Sequence, residues 1–303
     1  MLFSTFTHGK LMLTGEYTVL DGALALALPV RYGQQLTVLA GDIPGRLYWK
    51  STDANGNIWF EAELLTDHWT LVHSNNLPVA QRLQQLLSAC RKQNPDFCAD
   101  AGQGYLAQMH ATFPLDWGLG SSSTLVAALA QWAGINPYML LAATFGGSGY
   151  DVACAFADGP ILYQLAPGLP AGAREQVQPV AYSPPYADQL YFYYLGKKQD
   201  SREGIRRYRS LVNDNAAALA DRISVLTREL LQTNTRSGLE SNLLEQEMLI
   251  SEALDLPRAQ ALHFPHFPGV IKSLGAWGGD FVLATRPVEG GIPWKEMVLM
   301  KQK

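Results

Sequence analysis

Apolar residues recur at two spacings along this chain of 303 residues. Alternation with many β-forming residues predicts strands in GKLMLTG, in RLYWKST and NIWFEAELL on either side of the turn sequence Asp53-Ala-Asn-Gly-Asn57, and in ALALALPVRYGQQLTVLA, as one long strand or a pair. Spacings of three and four predict helices over VAQRLQQLLSACRKQ, from Pro137 onward, and in two long stretches of the last third. The chain therefore combines strands and helices, and it shows no internal repeat or low-complexity tract.

The composition is that of a well-cored globular protein of enzyme size. Apolar residues make up 48% and charged residues 17% of a chain long enough for one large domain or two ordinary ones. The formal net charge of −4 argues against a nucleic-acid partner. No signal peptide is visible, and no apolar run reaches the length of a membrane span. We expect a cytoplasmic protein, bound to neither membrane nor nucleic acid, with idle thiols at Cys90, Cys98 and Cys154.

Two glycines and three hydroxyls precede a helical apolar pattern in DWGLGSSST, which is followed by LVAALAQWAG. A helix that begins here has first-turn N–H groups without internal acceptors, and the positive end of its dipole favours an anion. Gly118 and Gly120 let the backbone approach a phosphate closely. The hydroxyls that could bond phosphate or magnesium are those of Ser121, Ser122 and Ser123. The alternative is an ordinary serine N-cap after a glycine turn.

A second glycine turn, Gly146-Gly-Ser-Gly-Tyr-Asp151, places one acid at the head of the apolar stretch VACAFADG. A carboxylate in this position stabilises the helix dipole whether or not it has another role. Because the turn comes soon after a candidate phosphate loop, Asp151 is also a candidate functional acid.

The proline-rich stretch PVAYSPPYADQ indicates the approach to a second domain that opens with the strand QLYFYYLG. Lys197 and Lys198 then precede a basic helix, which is either a solvated face or a clamp for an anionic substrate. The arginines of this helix are Arg202, Arg206, Arg207 and Arg209. Near the end of the chain, GVIKSLGAWGGDFVLATRP predicts a glycine-rich turn that leads into a strand, and PWKEMVLMKQK predicts an edge strand.

Three of these sequences resemble, in this order, the motifs of the GHMP superfamily of small-molecule kinases, which includes galactokinase, homoserine kinase, mevalonate kinase and phosphomevalonate kinase. GKLMLTGEYTVLDG is similar to the first motif, DWGLGSSST to the second and KSLGAWGGDFVLA to the third, and together they span almost the whole chain. GSGYDVA resembles a subgroup known by its GYDIA motif, which lies nearest to the mevalonate and phosphomevalonate kinases.

The resemblance implies an α+β fold with two domains. Residues 1–180 would form the N-terminal ATP-binding domain, which resembles ribosomal protein S5 domain 2. Residues 181–303 would form a ferredoxin-like C-terminal domain, with the active site between the two.

The resemblance also implies ATP and Mg²⁺ as cofactors. Asp151 matches the catalytic acid and Lys10 the lysine beside it, and an ammonium neighbour keeps a carboxylate charged and oriented. Nucleotide contacts are implied for Gly118, Leu119, Gly120, Ser121, Ser122 and Ser123. Metal contacts are implied for Ser122 and Glu16, and substrate contacts for Glu16, Tyr17, Ser148, Tyr150, Lys197 and Gly278.

Two features depart from the family pattern. Mevalonate kinases usually carry a magnesium-binding glutamate on the helix before the catalytic acid, but the matching position here is near Leu140, and PYMLLAATF contains no acid. Magnesium would then be held differently, by Glu16 or by the nucleotide itself. In the third motif, Trp277 and Asp280 stand where small residues are commoner, so the product-side wall of the site is expected to differ.

These observations predict ATP-dependent phosphorylation of a small hydroxyl- or phosphate-bearing metabolite by a monomer or homodimer. Mevalonate and phosphomevalonate, in isoprenoid precursor synthesis, are the leading acceptors. One alternative is a catalytically silent protein of this fold that binds a ligand and regulates. Another is a decarboxylase of the diphosphomevalonate type.

Overall fold

The computed structural model describes residues 1–212 and 215–300, and these form two compact units. The first unit consists of Met1–Gly9, Tyr32–Leu115 and Gly120–Phe156. The second consists of Lys10–Arg31, Asp116–Leu119 and the described residues from Ala157 onward. Neither unit is one uninterrupted segment, and the domain division expected after residue 180 stays a prediction.

Most strands and helices form where the two apolar spacings predict them. The strands are β1 (Phe3–Thr14), β2 (Ala25–Gly41), β3 (Arg46–Thr52), β4 (Ile58–Leu65), β5 (Leu71–Ser74), β6 (Gly104–Ala111), β7 (Ile161–Leu165), β8 (Glu175–Pro179), β9 (Tyr191–Tyr194), β10 (Ile271–Leu274), β11 (Phe281–Ala284) and β12 (Ile292–Pro293). The helices are α1 (Leu77–Gln93), α2 (Ser121–Ala133), α3 (Pro137–Thr144), α4 (Tyr150–Ala155), α5 (Ser201–Leu211), α6 (Ala216–Gln232), α7 (Arg236–Leu254), α8 (Ala259–His263) and α9 (Trp294–Met297). Among the described residues, no helix is both long enough and apolar enough to cross a bilayer.

The first unit is a sheet with helices packed on it. Its strands neighbour one another in the order β5-β4-β3-β6-β2, with β3 and β6 parallel and the other pairs antiparallel. Alternate residues of β3, such as Leu47 and Trp49, are buried in a core that also holds Leu86 of α1 and Leu129 of α2. This burial on one strand face and one helix stripe is what the period-two and period-3.6 patterns require.

The second unit contains an antiparallel sheet in the order β10-β11-β9-β12. The first residues of β2 also belong to this unit, where they pair with β7, and β7 pairs in turn with β8. Helices α6 and α7 pack on each other around a core that includes Ile223 and Ile250. The glycine turn of the third motif connects β10 to β11, so it lies between two neighbouring buried strands.

Two expectations about local structure have clear outcomes. The hairpin around Asp53 is confirmed: β3 and β4 are antiparallel, and the Asp53 carboxylate accepts the N–H groups of Asn55 and Asn57 across the turn. The edge strand expected at the end of the chain is wrong for residues 294–297, which form α9. The buried side chains Trp294 and Met297 are three positions apart, which is a helical spacing. Residues 301–303 of that expected strand lie outside the described residues.

Candidate active site

The glycine-serine sequence forms the start of α2. Gly120 is the N-cap residue, with a φ of 93°, and it has no side chain to cap the helix. The N–H of Thr124 donates to the carbonyl of Gly120 at 3.0 Å, so the three N–H groups before it have no acceptor within the helix. Ser123 is buried and donates its hydroxyl to the same carbonyl at 2.8 Å, whereas Ser122 is exposed. The first turn of α2 therefore offers backbone donors and the Ser122 hydroxyl to an anion.

Asp151 lies in the first turn of α4. The N-cap residue is again a glycine, Gly149, with a φ of 89° and no side-chain cap. One Asp151 carboxylate oxygen, Oδ1, accepts the N–H of Val152 at 3.0 Å, and the residue is partly exposed. Ser148 is buried and Tyr150 is partly buried on either side of Gly149. Because α4 packs against α2 within the first unit, the helix that carries Asp151 neighbours the helix that begins at the serines.

Lys10 is fixed against the glycine loop in the second unit. Its Nζ donates to the carbonyl of Gly118 at 3.0 Å, and its backbone N–H donates to the carbonyl of Leu119 at 3.0 Å. Ser122 and Asp151 belong to the first unit, so the pairing of Lys10 with Asp151 stays a prediction.

A buried carboxylate, that of Asp280, lies against the same glycine. A Cβ atom added to Gly118 would overlap this carboxylate, so glycine is required there for space as well as for its φ of 69°. Asp280 has a φ of 56°, which is uncommon for a residue other than glycine, and it is only 5% exposed. Burial raises the pKa of its carboxyl, while the charge of Lys10, the N–H of Gln199 and the charge of Lys198 lower it.

Glu16 lies in a buried cluster of charges, and its predicted contact with metal or substrate stays a prediction. It forms an ion pair with Lys272, and both side chains are inaccessible to solvent. Glu247 joins this cluster by accepting the N–H and the hydroxyl of Ser273 at 2.8 and 2.9 Å. Burial raises the pKa of Glu16 and of Glu247, and the charge of Lys272 opposes both shifts. We therefore assign Glu16 to this internal cluster.

Tyr17 also makes contacts within the fold, and its predicted contact with substrate stays a prediction. Its hydroxyl accepts the N–H of Trp277 at 2.8 Å, and its ring stacks on that of Tyr208 with 5.7 Å between centroids. Burial raises the pKa of Tyr17 to about 12. Tyr17 thus connects the first motif to the third, where the next residue, Gly278, is exposed with a φ of 90°.

The basic residues before and along α5 differ in their contacts with the rest of the protein. Lys197 is exposed, and its carbonyl accepts the N–H of Asp280 at 2.7 Å. Three of the four arginines contact groups of the protein: Arg202 bonds to Asp200, Arg207 to the carbonyls of Leu254 and Asp255, and Arg209 to Asp21. These contacts favour a structural role for the arginines over a substrate clamp.

The described residues offer few protein ligands to magnesium. They contain no group of three histidine, cysteine, aspartate or glutamate side chains that could hold a metal ion. Leu140, which lies near the position that the resemblance to mevalonate kinases matches to a metal-binding glutamate, is fully buried in the core of the first unit. With Glu16 engaged by Lys272, Ser122 is the one predicted metal contact that is exposed.

Comparison with known proteins finds similarity in structure only. No protein-family model matches the chain, and no curated protein matches it. Mevalonate kinase from Methanococcus jannaschii is 13% identical and aligns over 95% of this chain and 92% of its own, with a TM-score of 0.67. Phosphomevalonate kinase from Streptococcus pneumoniae, in complex with phosphomevalonate and AMPPNP, is 16% identical over 95% and 93%, with a TM-score of 0.65. Galactokinase from Lactococcus lactis is 13% identical over 98% and 85%, with a TM-score of 0.67.

These structures establish the fold class. The chain has the α+β fold of the GHMP kinases, which confirms the fold that its three glycine motifs implied. A mevalonate diphosphate decarboxylase from Legionella pneumophila also shares this fold, so the fold by itself does not separate phosphoryl transfer from decarboxylation.

The sequence interpretation missed Lys272 and Glu247. Lys272 is a charged residue within the apolar strand sequence VIKSL, and Glu247 lies in the largely apolar helical sequence LLEQEMLI. A charged residue inside an apolar pattern could have indicated a buried ion pair, because a buried charge needs a partner. The identity of that partner was not readable, since Lys272 and Glu16 are 256 positions apart.

Proposed function

We propose that this protein is an ATP-dependent kinase that phosphorylates a small hydroxyl- or phosphate-bearing metabolite, with mevalonate and phosphomevalonate as the leading acceptors. The observation that carries the proposal is the start of α2, where an uncapped first turn and the exposed Ser122 hydroxyl are suited to phosphate. The fold shared with mevalonate and phosphomevalonate kinases supports it. The AMPPNP bound to the phosphomevalonate kinase supports ATP as the nucleotide.

The serines of the loop, Asp151 and Lys10 each have a physical role in such a reaction. ATP would supply the phosphoryl group, and the N–H groups of Ser121, Ser122 and Ser123, together with the Ser122 hydroxyl, would hold its phosphates and offset their charge. Asp151, in the first turn of a neighbouring helix, would accept the proton of the acceptor hydroxyl. Lys10, held at the carbonyl of Gly118, would supply a fixed positive charge.

The described residues offer fewer protein contacts to magnesium than to ATP. Ser122 would be its protein contact, and the phosphates of the nucleotide would provide the remaining oxygens, which is common for a cation that keeps few protein ligands. Glu16 takes no part in this assignment because its carboxylate is paired with Lys272.

The second candidate is a catalytically silent member of this fold. The observation that favours it is the buried, apolar Leu140 close to where the family usually has a metal-binding glutamate. A silent protein would bind nucleotide or metabolite without turning it over, so binding alone does not distinguish the two candidates.

The experiment is a screen for ADP release in the presence of ATP and Mg²⁺, with mevalonate, phosphomevalonate, homoserine and simple sugars as acceptors. Acceptor-stimulated ADP release supports the kinase, release of ADP with CO₂ from diphosphomevalonate indicates the decarboxylase, and neither indicates the silent protein. Asp151→Asn should lower kcat by about 10²–10⁴-fold, because a proton acceptor is lost, and should leave ATP affinity nearly unchanged.

The same Asp151→Asn preparation should be melted as a control for stability. If Asp151 only stabilises the start of α4 through the helix dipole, the variant should lose about 0.3–1 kcal/mol of stability and turn over normally. That result would contradict the catalytic assignment.

A further inference from the structure

The four residues before the N-cap of α2, Asp116–Leu119, are held by contacts within the second unit, and we name this segment the loop stem. We propose that Trp117 and Tyr194 are positioning residues that fix the loop stem. Through it they set how the chain enters α2 and where Lys10 is held. The effect on nucleotide rests on the proposed function, whereas the anchoring depends only on contacts within the second unit.

The loop stem needs anchors because its glycines leave the local conformation weakly determined. Gly118 and Gly120 have φ values of 69° and 93°, and glycine loses more conformational freedom on ordering than any other residue. Gly120, as the N-cap residue, also has no side chain that could bond to the first turn of α2. Contacts from outside the segment must therefore select the conformation in which the chain enters the helix.

Tyr194 anchors the first residue of the loop stem. Its hydroxyl donates to the carbonyl of Asp116 at 2.7 Å. Tyr194 lies in β9 directly opposite Phe281 of β11, and the centroids of the two rings are 5.4 Å apart. Partial burial and the charges of Asp116 and Asp280 raise the pKa of Tyr194, so the hydroxyl keeps the proton that it donates. A pair of adjacent strands thus places the donor.

Trp117 packs on the same two rings. It meets the ring of Phe281 edge-on, with 5.5 Å between centroids and 83° between planes, and it lies 6.3 Å from the ring of Tyr194. Phe281 is fully buried, and Trp117 and Tyr194 are partly buried. Aromatic pairs in such arrangements stabilise a contact beyond the area that they bury. Trp117 therefore ties a glycine-rich segment to the sheet of the second unit.

The anchored loop stem presents two carbonyls to Lys10. Lys10 Nζ donates to the carbonyl of Gly118, and the Lys10 N–H donates to the carbonyl of Leu119, both at 3.0 Å. The directions of these carbonyls depend on the backbone dihedrals of the loop stem. The Asp280 carboxylate limits them further, because it fills the space beside Gly118. Loss of either aromatic anchor should therefore loosen Lys10 as well as the chain that enters α2.

The first test measures the Kd of AMPPNP by calorimetry in the presence of Mg²⁺. Tyr194→Phe keeps the ring and removes only the hydroxyl, so it should raise the Kd about three- to tenfold, as expected for one hydrogen bond. Trp117→Ala should raise the Kd at least as much. Trp117→Phe keeps an aromatic ring against Phe281 and should recover most of that loss.

The matched control is Tyr193→Phe, the same chemical change at the preceding residue of β9. The Tyr193 side chain points to the opposite face of the strand and packs on Phe264, so this variant should leave the Kd unchanged. The melting temperature of every variant is measured as well. A higher Kd for Trp117→Ala that accompanies early melting and that Trp117→Phe does not recover would indicate a merely structural role and overturn the proposal.

A second readout requires no nucleotide. Trace acetylation of Lys10, measured by mass spectrometry, should increase about threefold in Tyr194→Phe and Trp117→Ala, because a loosened loop stem releases Lys10 Nζ from the Gly118 carbonyl. The exposed Lys92 of α1 is the internal reference. Tyr193→Phe should leave the labelling of Lys10 unchanged.

The two readouts separate this inference from the proposed function. If the unaltered protein binds AMPPNP and the variants bind it equally well, or if the labelling of Lys10 does not change, the positioning role is overturned and the proposed function stands. If the unaltered protein binds no AMPPNP, the proposed function fails together with the effect on nucleotide. Faster labelling of Lys10 in the variants would then still support the anchoring of the loop stem.

Discussion

Replacing Lys272 with methionine should destabilise the second unit strongly. Lys272 and Glu247 are 0% exposed and Glu16 is 2% exposed, and Lys272 Nζ also donates to the carbonyl of Ser273 at 3.0 Å. Methionine fills a similar volume, so the main effect is that two carboxylates stay buried without an ammonium partner. Breaking a buried ion pair in this way costs about 3–5 kcal/mol. At roughly 2–4 °C per kcal/mol, the melting temperature should fall by about 6 °C or more.

The loss should also depend on pH in a defined direction. Burial raises the pKa of Glu16 and Glu247 in the folded state above the ordinary value of 4.5. The folded state then binds more protons than the unfolded state between the two pKa values, so the free energy of unfolding falls as pH rises through that window. Lys272 opposes the shift, so its removal raises both pKa values further and widens the window. The deficit of Lys272→Met should therefore shrink as the pH is lowered from about 7 toward about 5.

Urea unfolding followed by tryptophan fluorescence at several pH values measures this deficit. The matched control is Arg222→Met, which removes the ion pair with Glu245, whose partners are 43% and 44% exposed. That pair should contribute less than about 1 kcal/mol. Adding Glu16→Gln to Lys272→Met should recover part of the loss, because one unpaired charge is then removed. A loss for Lys272→Met no larger than that of the control, or a deficit that grows as pH falls, would refute the reasoning.

Two further predictions concern the glycine-serine loop. Gly118→Ala should lose more stability than Gly134→Ala. Both positions have positive φ values, which cost alanine about 1–2 kcal/mol. Only the Cβ at position 118 would overlap the Asp280 carboxylate, whereas the Cβ at position 134 would have no atom within 4 Å. Equal urea midpoints for the two variants would contradict that packing. Ser122→Ala should raise the Mg²⁺ concentration at half-maximal ADP release by about tenfold, the equivalent of roughly one hydrogen bond, without lowering the melting temperature. Ser123→Ala, which loses a buried hydrogen bond to Gly120, should lower the melting temperature and leave the Mg²⁺ response unchanged. An unchanged Mg²⁺ response of Ser122→Ala would contradict the assignment of Ser122 as a metal contact.

Much of the local structure was readable from the sequence. The turn at Asp53 and the helix start at Gly120 were predicted correctly because turn chemistry and glycine caps act over a few residues. The long alternating stretch after Ala23 left open one strand or two, and the structure has one, Ala25–Gly41. The end of the chain was misread because a short apolar run does not distinguish a strand from a single helical turn.

The glycine motifs also carried the fold class, and the structural neighbours bear it out. Glycines at these positions are required by positive φ values and close packing, both of which a sequence motif records. The roles of individual charged residues were less readable. Glu16 looked like a ligand because it follows a glycine bend in a family motif, yet its carboxylate belongs to an internal ion pair.

The sequence by itself determined where most of the strands, helices and glycine turns lie, because these depend on apolar periodicity and on backbone conformations that few residues can adopt. The tertiary structure decided which charged side chains meet: Glu16 with Lys272, 256 positions away, and Lys10 and Asp280, which both lie beside Gly118. The protonation and accessibility of a charged group depend on what is packed against it. Periodicity shows which face of an element is buried, but it does not name the partner that the fold brings to that face.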